Sequence, residues 1–161
     1  MDENKENKNK LYLAHPIRSR QYARKWELMI EEKYGIELAN PFYDRKGEGG
    51  REDIEVMDKG LEPEKGEDYE FNLVQKDIQL IGQCQGVVAI VDGNLSYGTI
   101  MEIVYANVLK KPVFLICTNR QHDHPWLFYH AKEIYTSFED FEANINSVLE
   151  SLKKSPVTRF G

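Results

Sequence analysis

Short apolar runs alternate along the chain with longer stretches in which apolar residues recur every three or four positions. "LYLAH", residues 11–15, is almost wholly apolar and is ended by Pro16, which predicts a short buried strand. In "SRQYARKWELMIEEKYG", residues 19–35, Tyr22, Trp26, Met29 and Ile30 fall on one helical face and Gly35 supplies a stop. A helix with those four residues inward is expected there. "IELANP" reads as a second strand. "YEFNLVQKDIQLIGQC", residues 69–84, resumes the helical period through Phe71, Val74, Ile78 and Ile81. "GVVAIV", residues 86–91, is a third strand, followed by the loop "DGNLSYGT" and a helix that carries Glu102. "KPVFLIC" makes strand four and "EIYTS" a short fifth. "FEDFEANINSVLESLKK" predicts one closing amphipathic helix with Phe141, Ile145, Val148 and Leu152 inward.

Strands separated by helices, and apolar on both faces, imply a parallel sheet covered on two sides. The expected class is therefore α/β: a doubly wound, flavodoxin-like or Rossmann-like parallel sheet of about five strands with helices on both faces. The length of 161 residues suits one domain. Residues 1–10, "MDENKENKNK", offer nothing to bury and read as a disordered arm; residues 11–154 form the domain, and 155–161 a tail. Residues 44–68 hold Gly47, Gly49, Gly50, Gly60 and Gly66 among many charges and read as one long loop, either a lid or a solvated flap.

The net charge of −6, with basic residues scattered rather than clustered, argues against a nucleic-acid partner. No apolar run approaches the length of a membrane span, and no secretory leader is recognisable, so no membrane partner and a cytoplasmic location are expected. Cys84 and Cys117 lie in apolar segments without a CxxC spacing and read as reduced, buried thiols. His122, His124 and His130 share one region, but an HxH pair on a loop lacks the ligand set of a metal site. Neither metal nor cofactor is expected.

In doubly wound sheets, ligands bind beyond the carboxyl ends of the strands, where the strand order reverses. That rule selects His15, Pro16, Ile17 and Arg18 after strand one, Asn40 to Asp44 after strand two, and Asp92 to Gly98 after strand three. The loop "DGNLSYGT" is compatible with an anion cradle and equally with a plain strand-to-helix turn. Glu102 stands among Ile100, Met101, Ile103 and Val104, one turn into the helix behind that loop, and Asp77 lies beside Ile78 in an otherwise apolar stretch. Two carboxylates from two helices can serve as nucleophile and acid/base in cleaving a glycosidic bond.

Three segments, "LYLAHPIR", "KDIQLIGQCQGVVAIVDG" and "SYGTIMEIVYANVLKKPV", resemble in this order and spacing the nucleoside 2-deoxyribosyltransferase family, which includes the 2′-deoxynucleoside 5′-monophosphate N-glycosidases. The resemblance covers residues 11 to about 118 and implies the same doubly wound fold. It implies that Glu102 is the nucleophile, forming a covalent deoxyribosyl intermediate, that Asp77 helps protonate the leaving base, and that Tyr12 lies beside the nucleophile. Gly98 then falls where the backbone must approach the sugar.

The transferases often carry an aspartate six residues before the nucleophile; here Ser96 stands there, as in the monophosphate glycosidases. Together with an Ile17-Arg18 pair like theirs, Ser96 tilts the expected substrate toward 5′-monophosphates, since a hydroxyl and a guanidinium accept a phosphate that a carboxylate repels. Val104 departs from the glycine usual in relatives. The implied substrate-binding set is Tyr12, His15, Ile17, Arg18, Asp92, Gly93, Ser96 and Gly98.

The expected activity is cleavage of the N-glycosidic bond of 2′-deoxyribonucleosides or their 5′-monophosphates, the sugar passing to another base or to water. A strict monophosphate N-glycosidase and a non-catalytic nucleotide-sensing module are the alternatives. Partners are then a small-molecule deoxynucleoside or deoxynucleotide and a free nucleobase, with at least a homodimer expected because relatives share sites between subunits. Trp126, Phe128 and Tyr129 read first as core, and otherwise as an oligomer contact or part of a neighbour's pocket.

Overall fold

The computed structural model describes residues 8–43, 52–94, 96–120 and 123–153. The strands are β1 (Lys10–Ala14), β2 (Glu37–Ala39), β3 (Gly86–Val91), β4 (Val113–Cys117) and β5 (Glu133–Tyr135). The helices are α1 (Arg20–Tyr34), α2 (Glu52–Asp58), α3 (Tyr69–Gly82), α4 (Tyr97–Val108), α5 (Pro125–His130), α6 (Phe138–Ala143) and α7 (Ile145–Lys153), with a 3-10 turn at Ile17–Ser19. All strand pairs are parallel and the order is β2-β1-β3-β4-β5. This is the doubly wound α/β sheet expected from the apolar strands.

Side chains alternate across the sheet and divide the core in two. Leu11, Leu13, Leu38, Val88, Ile90, Phe114 and Ile116 pack with Trp26 and Ile30 of α1 and with Phe141, Ile145, Val148 and Leu152 of α6 and α7. Tyr12, Ala14, Ala39, Val87, Ala89, Val113 and Leu115 pack on the opposite face with Leu80 and Ile81 of α3, Ile103 and Ala106 of α4, and Leu127 of α5. Cys84 and Cys117 are buried and not disulfide-bonded. At the foot of β3, a Cβ on Gly86 would lie 2.9 Å from the Pro112 carbonyl oxygen, so the β3–β4 approach requires glycine.

Several expectations need correction. In α1 the inward stripe is Ala23, Trp26, Glu27 and Ile30, while Tyr22 and Met29 are exposed. In α3 the apolar stripe does not lie on the core along its length: Phe71 and Val74 are exposed, Ile78 is half-buried, and burial is completed only by Leu80 and Ile81. Periodicity finds an apolar stripe but cannot say what it faces.

The segment expected to be wholly loop contains α2, docked by buried Ile54 and by Arg20, whose Nε lies 2.8 Å from Asp58 Oδ1. Residues 44–51 of that segment, the arm up to residue 7 and the tail lie outside the described residues. The closing helix breaks at Asn144, whose side-chain nitrogen donates to the Asp140 carbonyl at 2.8 Å. The short helix α5 was not expected; His124 caps it and Pro125 occupies its first turn. Trp126, Phe128 and Tyr129 on α5 are exposed rather than core.

Candidate active site

From β1 the chain turns to α1 on one face and on to β2; from β3 it turns to α4 on the other face and on to β4. The loops beyond neighbouring β1 and β3 therefore diverge, which is the strand-order reversal where ligands settle in such sheets. Hydrogen bonds join the loops around it. Ser19 and Tyr22 hydroxyls both donate short hydrogen bonds to Asp92 Oδ2, and the Asn94 N–H donates to Oδ1 at 3.1 Å. Burial alone would raise the Asp92 carboxyl, but these donors outweigh it and hold the group below its usual range. Tyr22 is pushed up to about 12, by burial and then by its bond to Asp92. Asp92 thus clasps the 3-10 turn to the β3–α4 loop. Gly93 beside it adopts φ +94°, which the tight turn needs and a side chain disfavours.

Ser96 is the N-cap of α4: its hydroxyl accepts from the Thr99 N–H at 3.1 Å and lies 2.8 Å from the Thr99 hydroxyl. Next to it, a Cβ on Gly98 would meet no atom of the described residues within 4 Å, so among them the space before the first turn of α4 is open. Further along, Glu102 precedes inward-facing Ile103 and is half-buried at the edge of the buried stripe.

Tyr12, fully buried on central β1, donates a short hydrogen bond to Glu102 Oε2. Solvent reaches part of the Glu102 side chain, yet protein surrounds its carboxyl group, and that desolvation pushes it up to about 8. A carboxyl so placed is poised near neutrality, as acids, bases and nucleophiles in active sites often are. Asp77 is half-buried on α3, the helix packed beside α4.

The structure therefore joins Tyr12 with Glu102 directly. Ile17 is half-buried and Arg18 exposed on the 3-10 turn, whose shape is held by Arg20 Nη1 donating to the Ile17 carbonyl at 2.9 Å. His15 is buried, with its Nε2 3.2 Å from Asn40 Oδ1. Behind it stand Asn40, from the loop selected after strand two, and Glu27, which was not singled out from the sequence. Glu27 occupies the inward stripe with Ala23, Trp26 and Ile30, and that placement of a charge on an apolar face was its available signal. Of the three histidines considered together, His122 lies outside the described residues, His124 Nδ1 accepts from the Trp126 N–H, and His130 Nδ1 lies 2.7 Å from the Trp126 carbonyl. Among the described residues no group of three His, Cys, Asp or Glu side chains could hold a metal ion, and no helix is long and apolar enough to cross a membrane.

The sequence profile of the nucleoside 2-deoxyribosyltransferase family matches residues 11–148, spanning all five strands and both Tyr12 and Glu102. The chain belongs to that family. Among solved structures it is similar to a 2-deoxyribosyltransferase from the psychrotolerant bacterium Bacillus psychrosaccharolyticus, at 18% identity and TM-score 0.67, over 87% of this chain and 95% of that one. It is also similar to the CMP N-glycosidase BcmB of Clostridium botulinum, at 19% identity and TM-score 0.53, over 86% of this chain and 99% of the other. At such identities the likeness is one of fold. No curated protein matches by sequence comparison. One doubly wound frame thus carries chains named for transfer and for hydrolysis.

Proposed function

We propose that this deoxyribosyltransferase-family chain is an enzyme that cleaves the N-glycosidic bond of 2′-deoxyribonucleosides or their 5′-monophosphates through a covalent deoxyribosyl–Glu102 intermediate. The observation that carries the reading is the pairing of buried Tyr12 with Glu102, a carboxyl held near neutrality at the strand-order reversal. One Glu102 oxygen bonds to C1′ as the C1′–N bond breaks, and the bond's electron pair leaves on the base. Asp77 supplies the proton that the departing base needs. A second base or water then attacks C1′ and frees Glu102. The passing state resembles an oxocarbenium ion, which an ionised carboxylate stabilises, and the Tyr12 hydroxyl favours that ionised form.

The same reading assigns the sugar to the open space before Gly98 and a 5′-phosphate to Ser96, Ile17 and Arg18, with His15, Asp92 and Gly93 shaping the adjoining loops. Ser96 favours the hydrolytic monophosphate reading, because its neutral hydroxyl caps a helix whose N-terminal dipole welcomes an anion. A homodimer or larger assembly is supported by exposed Phe71 and Val74 on α3, Tyr97 and Met101 on α4, and Trp126, Phe128 and Tyr129 on α5, helices that cover the face bearing Glu102. Large apolar side chains exposed on adjoining helices are the usual material of association surfaces.

The test is incubation with deoxynucleosides and with deoxynucleoside monophosphates, with and without a free acceptor base, followed by chromatography. New nucleoside formed only with acceptor supports transfer; free base from monophosphates supports hydrolysis. Ligand bound without turnover of either kind would refute the enzyme and leave a nucleotide sensor.

A further inference from the structure

His15 follows β1 and is 2% exposed, and each ring nitrogen faces an oxygen: Nδ1 lies 2.9 Å from the Pro16 carbonyl and Nε2 3.2 Å from Asn40 Oδ1. The Asn40 amide has its orientation set from two sides. Its nitrogen donates to Glu27 Oε1 at 2.8 Å, and its oxygen receives the Phe42 N–H at 3.0 Å. Reversing the amide would oppose an oxygen to a carboxylate and an N–H to an N–H. Glu27 is fully buried and receives a short hydrogen bond from Arg24 Nη1. Phe42 packs against the imidazole at 4.7 Å between ring centres.

Both oxygens facing His15 can only accept. A neutral imidazole has one N–H, so one of its two contacts always sets a lone pair against an oxygen; the imidazolium satisfies both. Burial opposes the charge and holds His15 below the usual histidine range, while the Pro16 carbonyl, Asn40 and Asp92 pull it back up. The charged groups around it come from every neighbouring element. Arg18 is on the adjoining turn, Asp92 lies across at the end of β3, and Glu27 with Arg24 stands behind Asn40 on α1. The donors on Asp92 keep it ionised, so its charge also favours a protonated His15.

We infer that His15 is a buried positioning residue for an anionic ligand: it takes a proton from solvent when a phosphate group binds beyond β1 and β3. The resulting imidazolium, held by Pro16 and the Glu27–Asn40 pair, is that anion's counter-charge. The inference rests on the nucleotide reading above and adds to it a proton-linked preference for phosphorylated substrates.

The experiment uses the full-length Glu102→Gln chain, so that ligand is not consumed, with the four deoxynucleoside 5′-monophosphates and inorganic phosphate as probes. Imidazole nitrogen shifts by NMR should move from the neutral to the doubly protonated form as a monophosphate is added. Calorimetry in buffers of different ionisation enthalpy should then record about one more proton taken up per ligand than in the same chain carrying His15→Gln, with affinity falling by up to about tenfold per pH unit where His15 titrates. A purely structural histidine would change the melting temperature on substitution but not the proton count. A monophosphate that binds while the ring stays neutral overturns the inference and spares the nucleotide reading. Failure of every phosphate probe to bind overturns both. Should His15→Gln not fold, the ring signals of the chain with His15 intact decide alone.

Discussion

Glu102→Gln should cost the protein its activity and raise its stability, and the gain should depend on pH. In the folded chain the carboxyl is pushed from 4.5 to about 8, because its surroundings desolvate the charge. A tenfold change in a proton-binding equilibrium corresponds to about 1.4 kcal/mol, so the penalty for holding Glu102 ionised is at most ~5 kcal/mol. Since solvent reaches part of the side chain, a gain of ~1–3 kcal/mol is the working expectation.

The sign follows from proton counting. Below the unfolded value of 4.5 both states are protonated and no penalty exists. As pH rises from there toward about 8 the unfolded chain has lost its proton and the folded chain has kept it, so stability falls. Above that range the full penalty is present. Glutamine keeps an oxygen for the Tyr12 hydroxyl but carries no charge to desolvate. Thermal melts of both chains at pH 5 and pH 8.5 should therefore differ little at the lower pH and by several degrees at the higher, at ~2–4 °C per kcal/mol for a chain of this size. Turnover should be lost at both. An equal stability difference at the two pH values would refute the desolvated carboxyl, and retained turnover would refute the nucleophile.

Tyr12→Phe removes the donor that favours ionised Glu102, worth ~1.5–3 kcal/mol for a bond to a charged group, so kcat/KM should fall ten- to a hundredfold. Its pH profile should also shift toward alkali, and an unmoved profile would break the link between the two residues. Ser96→Asp keeps the helix cap but adds a negative charge, and should lower the preference for monophosphates over nucleosides by at least tenfold in competition assays. An equal or improved preference would remove Ser96 from the phosphate site. Tyr129→Glu, at a residue 75% exposed, should leave the circular dichroism spectrum and melting point nearly unchanged while lowering the mass seen by light scattering. An unchanged mass would move the contact surface off α5.

What the sequence determined by itself was the frame. Runs such as "GVVAIV" and "VFLIC" are apolar on both faces, and such strands are stable only between two layers of helices, so the doubly wound sheet was readable from local pattern. Glu102 and Tyr12 were legible as well, the first as a charge inside an apolar helix and both through the family's motifs.

Tertiary structure decided the rest. The stripe through Phe71 and Val74 has the same period as a core stripe, and only the placement of α3 on the sheet leaves it exposed. Glu27 and Asn40 are separated by a strand and a turn, and Asp92 lies 73 residues from Ser19; no periodicity links such partners. Their meeting follows from β1 lying between β2 and β3, because the loops at its carboxyl end can then reach those of both neighbours. Local pattern sets which residues leave water, whereas the order of the strands sets which polar groups find each other once they have left it.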